Sequence, residues 1–225
     1  MLELNNITKS YGPVKVLNGI SLSFNRGEIM SIVGPSGAGK TTLLQIAGTL
    51  DRPDSGDVIF DNQDLLKLKD RKLAKFRNLN LGFIFQFHQL LPEFSALENV
   101  ALPALIAGTS KKEAFTLAEK WLTELGLSHR LSHKPSELSG GEKQRAAIAR
   151  ALINNPAIVM ADEPTGSLDS RNRDDIKGII TGLREKYNQS FMIVTHDPEI
   201  ADIADRKVLI EDGIIVSAPT LASEF

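Results

Sequence analysis

Residues Gly34-Pro35-Ser36-Gly37-Ala38-Gly39-Lys40-Thr41 fill every fixed position of the pattern G-x-x-x-x-G-K-[ST]. Phosphate oxygens need several donors converging in a small space. Glycines let successive backbone N–H groups turn inward, and a helix starting there adds its positive dipole end. Lys40 supplies a point charge for β- and γ-phosphates, and Thr41 a hydroxyl for Mg2+. A glycine-rich turn with a chance lysine would not explain why an apolar run precedes the motif and a helix former follows it.

Two further apolar runs end in residues of complementary chemistry. Ala157–Ala161 is followed by Asp162 and Glu163, and Phe191–Val194 by Thr195 and His196. Open α/β sheets bind ligands at the carboxyl ends of their strands. That position suits Asp162 to hold Mg2+ through water and Glu163 to polarise an attacking water. His196 can donate a hydrogen bond to the γ-phosphate and hold the same water. A lone histidine is more often structural, and its place at a third strand end reverses that reading. Ser139-Gly140-Gly141 precede the strong helix former Lys143–Arg150, which makes a second helix N-terminus with exposed amides. With one Lys-bearing P-loop in the chain, this second anion site would complete a nucleotide pocket in another copy.

The elements that must position these residues are legible too. Ile29–Val33, Ala157–Ala161 and Phe191–Val194 are almost continuously apolar, as expected of strands buried on both faces of a parallel sheet. Helical stretches at Thr41–Leu50 and about Ser170–Tyr187 alternate with them, which predicts an α/β core. Alternating runs at Leu2–Ile7, Leu17–Phe24 and Gly56–Phe60 predict a small N-terminal antiparallel β region. The middle, about His88–Ser139, reads as mainly helical. Lys111–Leu125 puts Ala114, Leu117, Ala118, Trp121, Leu122 and Leu125 on one face, with Gly126 as a C-cap. The expected organisation is a core of 1–87 and 140–225 interrupted by a helical subdomain at about 88–139.

Composition narrows the function classes. The chain has 225 residues, 42% hydrophobic and 24% charged, and no cysteine. Disulfides, thiolate metal sites and thiol nucleophiles are therefore excluded. Lys+Arg is 26 against 28 Asp+Glu, a net charge of −2, without the basic excess of a nucleic-acid binder. The apolar stretch Val100–Gly108 has nine residues and contains Pro103, whereas a membrane helix needs about 20. The first residues lack the pattern of a signal peptide. Any membrane role is expected to run through a partner chain.

In their order, these motifs resemble the ATP-binding subunits of ABC transporters along nearly the whole chain. GPSGAGKT, extended by Thr42, matches Walker A, and AIVMADEP matches Walker B. Tyr11 in KSYG matches an aromatic residue that stacks on adenine, and Gln86 in IFQF the Q-loop glutamine, which contacts Mg2+ and water and senses the membrane partner. LSGGEKQR matches the signature, Ser167-Leu168-Asp169 the D-loop, and His196 the switch histidine. Glu142 stands where glutamine is frequent in the family, and Ser139 and Gly141 are unaffected.

The resemblance implies a P-loop NTPase with a RecA-like core, working with ATP and Mg2+. Glu163, His196 and Gln86 would be catalytic, and Thr41, Gln86 and Asp162 would attend the metal. Tyr11, the loop Gly34–Thr42, Ser139, Gly140, Gly141 and Asp169 would hold nucleotide. It further implies a homodimer with ATP sandwiched between copies, transmembrane subunits as partners, and a peripheral place on the cytoplasmic face of the cell inner membrane. Neither nucleic-acid binding nor direct membrane insertion is expected.

The run Gly82–Val100, containing QFHQLLPEF, is similar to the lipoprotein-releasing branch, which groups with macrolide-exporting and cell-division branches. In these branches dimer closure drives motion across the membrane, and substrate does not pass through a pore. Alternatives are the cell-division branch itself, which regulates cell-wall hydrolysis, export of the macrolide-exporter type, and soluble members acting on DNA or ribosomes. The last of these usually carry coiled-coil insertions or tandem domains, and this chain has neither. Phe85, Phe87, Leu90, Leu91 and Phe94 crowd apolar groups beside Gln86. They either pack the subdomain or dock a helix of a membrane subunit. Phe87 and Leu91 are expected to be exposed beyond a buried Gly82–Phe85 run. His88 reads as interface or surface.

Overall fold

Large apolar residues at consecutive positions leave Ile29–Val33 (β3), Ile158–Asp162 (β7) and Ser190–Val194 (β8) without a solvent face. In the computed structural model, which describes residues 1–217, all three are interior strands of one six-stranded sheet. With Leu81–Phe85 (β6), Arg206–Glu211 (β9) and Ile214–Ser217 (β10), the order is β10-β9-β3-β8-β7-β6. Every pair is parallel except β10 with β9. Positions 218–225 of the expected core lie outside the described residues.

Alternate side chains of each strand enter two separate cores. Ile29, Val159, Ala161, Phe191 and Ile193 face Ala96–Ala107 (α3), Lys111–Glu124 (α4), Gly140–Leu152 (α5) and Ser170–Tyr187 (α6). Met30, Ile32, Met160, Met192 and Val194 face Lys40–Ala47 (α1) and a second sheet. That sheet is antiparallel, ordered β2-β1-β4-β5, from Leu2–Tyr11 (β1), Val14–Phe24 (β2), Ser55–Phe60 (β4) and Gln63–Asp64 (β5). Each fully buried Leu, Ile, Val, Phe or Met contributes about 1.5–3 kcal/mol, so the strands under the candidate site rest on a rigid double support.

Helix ends follow local chemistry. Ser95 with Glu98, and Ser139 with Glu142, form reciprocal capping boxes at α3 and α5. Asp169 caps α6, whose bounds Ser170–Tyr187 match the expected span. Helix α1 stops at Ala47, short of the expected Leu50, because Gly48 caps it and Thr49 takes a left-handed φ of 57°. Asp70–Asn80 (α2) has no counterpart in the sequence expectations. It buries only Leu73, too thin an apolar face to announce a helix. The Gly82–Phe85 run corrects another expectation: Phe83 and Phe85 are only half-buried, because β6 is the outer strand of its sheet. Among the described residues, no helix is long and apolar enough to cross a membrane.

Candidate active site

Because β3, β8, β7 and β6 are parallel neighbours, their carboxyl ends form one edge. From β3 the chain enters the glycine-rich loop, from β8 Thr195 and His196, from β7 Asp162 and Glu163, and from β6 Gln86. Residues scattered over the sequence are thereby collected on one line, as the position of ligands in open α/β sheets requires.

The loop is tightly tied to its surroundings. Gly34 has φ 147°, and a Cβ there would collide with the Ile210 carbonyl. Lys40 is 8% exposed, and its Nζ donates to the Gly34 and Pro35 carbonyls at 2.8 Å each. The ammonium is thus held over its own loop. Thr41 Oγ1 donates to Asp162 Oδ1 at 3.0 Å, which joins the end of β7 to the first turn of α1. A cleft of about 370 Å³ is lined by Ser36, Gly37, Gly39, Lys40, Thr41 and Thr42, together with Tyr11, Val16 and Glu163. Tyr11 is 48% exposed, and its hydroxyl donates to Asp51 Oδ2 at 2.7 Å. That bond to Asp51 raises the phenol's pKa, so the ring stays neutral. Lys9 pairs with Asp51 at 2.9 Å and lies 5.1 Å from the Tyr11 ring centre.

The two Walker carboxylates have unlike environments. Burial pushes the Asp162 carboxyl up, and the Thr41 hydroxyl pulls it back in part. Glu163 adopts a left-handed φ of 48° while its N–H donates to the Val194 carbonyl at 2.9 Å. This turn points its carboxylate at β8. Oε1 lies 2.8 Å from His196 Nδ1, and Oε2 accepts from the His196 N–H at 3.3 Å and Thr195 Oγ1 at 3.4 Å. A non-glycine residue in this conformation costs of order 1–3 kcal/mol and is held only where neighbours over-determine it. Here the β8 carbonyl and the His196 ring do so.

Gln86 lies beside this pair, since Phe85 is in register with Asp162. Its backbone carbonyl accepts from Ser167 Oγ at 3.0 Å, and its side chain packs against Gly166. Asp169 Oδ1 accepts from the Asn172 N–H and Nδ2, both at 2.9 Å. A Cβ on Gly141 would meet the same asparagine's Oδ1, so Asn172 would have to turn away from it. Ser139, Gly140 and Gly141 begin α5 and do not line the cleft around Lys40 among the described residues. One chain thus gathers the glycine-rich loop, Tyr11, Gln86, Asp162, Glu163 and His196 at this edge, whereas Asp169, through Asn172, lies with the signature group, Ser139 to Gly141, away from the cleft.

Several residues that spacing did not single out hold this frame. Arg150, near the end of α5, donates to the His88 and Gln89 carbonyls at 2.7 and 2.5 Å, clamping two consecutive left-handed residues just past Gln86. His88 is half-buried, and burial lowers its pKa. Gln144 is fully buried and donates to the Pro164 carbonyl at 2.6 Å. Asn99 is also fully buried. It accepts from the Leu91 N–H at 2.7 Å and donates to the Leu91, Phe94 and Ser95 carbonyls at 3.0 Å. Only a run of exposed apolar residues hints at that loop in the sequence. Phe87 is 76% exposed and Leu91 44%, as expected. Beside them a groove of about 420 Å³ runs past Leu50, Phe83, Phe85, Gln89, Arg77 and Arg150.

The ABC transporter family profile matches residues 17–166. The lipoprotein-releasing system ATP-binding proteins LolD of Bacteroides thetaiotaomicron and Porphyromonas gingivalis are 59% and 58% identical to this chain, over 96% of its length and 99% of theirs. Among solved structures, a dimeric post-hydrolysis state of the ATP-binding cassette MJ0796 bound to ADP and Pi has a TM-score of 0.91 and 39% identity, covering 100% of both chains. CbiO1 from Clostridium perfringens, part of an ABC transporter complex, has a TM-score of 0.86 and 27% identity, over 96% of this chain and 87% of that one. The matched span takes in the glycine-rich loop, the start of α5 and both carboxylates at the end of β7, and the chain belongs to the ABC transporter family as one of its ATP-binding cassettes.

Proposed function

We propose that this chain hydrolyses ATP to power the release of lipoproteins from the cell inner membrane, working from the cytoplasmic face through transmembrane subunits. The observation that carries this reading is near full-length identity of 59% to a lipoprotein-releasing system ATP-binding protein. The intact constellation of Lys40, Thr41, Asp162, Glu163 and His196 supports it. Lys40 would neutralise β- and γ-phosphate charge, with Tyr11 against the adenine and Gly34–Thr42 around the phosphates. Glu163 would orient and deprotonate water for in-line attack, with His196 and Gln86 fixing that water. Helices α3 and α4 support a helical subdomain at about 88–139 between core segments 1–87 and 140–225.

Mg2+ suits the oxygen donors Thr41 and Asp162. They lie 3.0 Å apart, and the carboxylate is one whose charge burial disfavours. Among the described residues, no group of three or more His, Asp or Glu could form an all-protein metal cage. The ion's remaining positions would fall to phosphate oxygens, Gln86 and water, and it would supply charge neutralisation on the β- and γ-phosphates.

Ser139, Gly140 and Gly141 would meet the γ-phosphate bound to a second copy, with Asp169 at the junction. The hydrolysis-blocked variant Glu163→Gln is expected to dimerise in ATP and stay monomeric in ADP, as read by light scattering. Dimers indifferent to nucleotide would count against a composite site.

The groove lined by Phe83, Phe85 and Gln89, together with the exposed Phe87 and Leu91 that flank Gln89 in the chain, is proposed to receive the transmembrane partner, since clustered exposed apolar groups mark interfaces. Phe87→Glu should change the stability of the isolated chain by no more than about 0.5 kcal/mol, as for other surface positions, and leave ATP affinity intact. It should abolish co-purification with the membrane subunits. Unfolding of the variant would place Phe87 in the core instead. The release activity itself is tested by the ATPase rate of the complex isolated from its own membranes. Stimulation by an acylated protein is expected, and indifference to it would overturn the reading.

A further inference from the structure

A helix N-terminus that receives phosphate works through its positive end. In α5 that end carries a carboxylate. Glu142 Oε2 accepts from the Ser139 N–H at 2.8 Å, a bond that, with Arg130, holds its pKa at about 2. Glu142 is therefore ionised at any physiological pH, a fixed negative charge in the turn proposed to grip the γ-phosphate of a second copy. Glutamine would make the same capping bond without the charge.

The compensating charge comes from another element. Arg130 closes the short turn Ser128–Arg130 that follows α4, and its Nε donates to Glu142 Oε1 at 2.8 Å. His129 Nε2 lies 3.9 Å from the same oxygen, and Arg130 Nη1 lies 3.1 Å from His133 Nε2. The Glu142 side chain is only 12% exposed and that of Arg130 33%, so water screens the pair incompletely.

We propose that Arg130 is a charge-compensating positioning residue: by neutralising Glu142 it lets the signature helix accept the γ-phosphate carried by a second copy. Arg130 touches neither nucleotide nor reacting atoms in this role, and it matters only when two copies close. The inference rests on the composite-site reading above.

The test uses the full chain in the Glu163→Gln background, with ATP-dependent dimer dissociation constants from analytical ultracentrifugation, ADP affinity by calorimetry and melting curves. Arg130→Met keeps the stem and removes the charge. It is expected to weaken the ATP dimer on the order of tenfold, the effect of one poorly screened charge at a helix end, while ADP affinity of the single chain is unchanged. Arg130→Lys should recover most of the loss. Arg130→Met combined with Glu142→Gln should return the constant to within about threefold of the parent, because no uncompensated charge remains. Parent-like dimerisation of Arg130→Met overturns the proposal. So does a double variant as weak as, or less stable than, Arg130→Met, since the residue would then be structural. Failure of the parent itself to dimerise in ATP overturns the composite-site reading and the proposal with it, and is distinguished by involving no change at Arg130.

Discussion

Glu163→Gln is expected to bind ATP like the parent and hydrolyse it on the order of 10²–10⁴-fold more slowly, the range a positioned general base contributes. The amide has the same shape and tolerates the same left-handed φ of 48°, and the backbone bond to the Val194 carbonyl is untouched. What disappears is the negative oxygen 2.8 Å from His196 Nδ1 and with it the group able to take a proton from water. Phosphate release under saturating MgATP, paired with equilibrium binding, separates the two quantities. Parent-like turnover in a clean preparation would remove Glu163 from the chemistry.

Lys40→Ala is expected to act on affinity instead. The Lys40 ammonium rests on the Gly34 and Pro35 carbonyls and is, among the described residues, the one cation lining a cleft whose only other charged lining group is the Glu163 carboxylate. A hydrogen bond to a charged group is worth about 1.5–3 kcal/mol, and loss of such a bond to phosphate in a partly enclosed site corresponds to on the order of 10²-fold weaker ATP binding. The apo melting temperature should fall little, because water can reach the two carbonyls once the side chain is gone. The ATP-induced rise in melting temperature should vanish at concentrations that saturate the parent. Calorimetric titration with MgATP checks the affinity directly, and binding within about threefold of the parent would contradict the role of Lys40.

The sequence disclosed whatever is written in consecutive residues. Ile29–Val33 is apolar at every position but Ser31, so its burial on both faces was legible, and so was the glycine-rich loop behind it. Asp169 before Ser170 and Asn188 after Tyr187 mark α6 at both ends. Strand order was not legible. That β8 lies between β3 and β7, which brings His196 against Glu163, depends on pairing over large sequence separations. The half-exposure of Phe83 and Phe85 follows from β6 being an outer strand, a property of the assembled sheet and not of the run LGFIF. Arg130, Arg150 and Gln144 were invisible for a related reason: an arginine or glutamine on a polar helix face looks solvated until the carboxylate or carbonyl it meets is known.

Between the Arg150 clamp on His88 and Gln89 and the start of α3, the loop bearing Leu91 and Phe94 is tied down by one buried amide. Asn99 satisfies both of its side-chain groups on the Leu91, Phe94 and Ser95 backbone and is itself part of α3. Mechanically, the loop is a stiff bracket with little compliance of its own. A push delivered at Phe94 or Leu91 is carried into the axis of α3, and from α3 into α5, which it packs against. A slack loop would absorb a stroke of a few ångströms by rearranging its own backbone. This one would pass displacement on, so that, if a membrane helix docks here as proposed, its travel would be coupled through Asn99 and α3 to the tilt of α5.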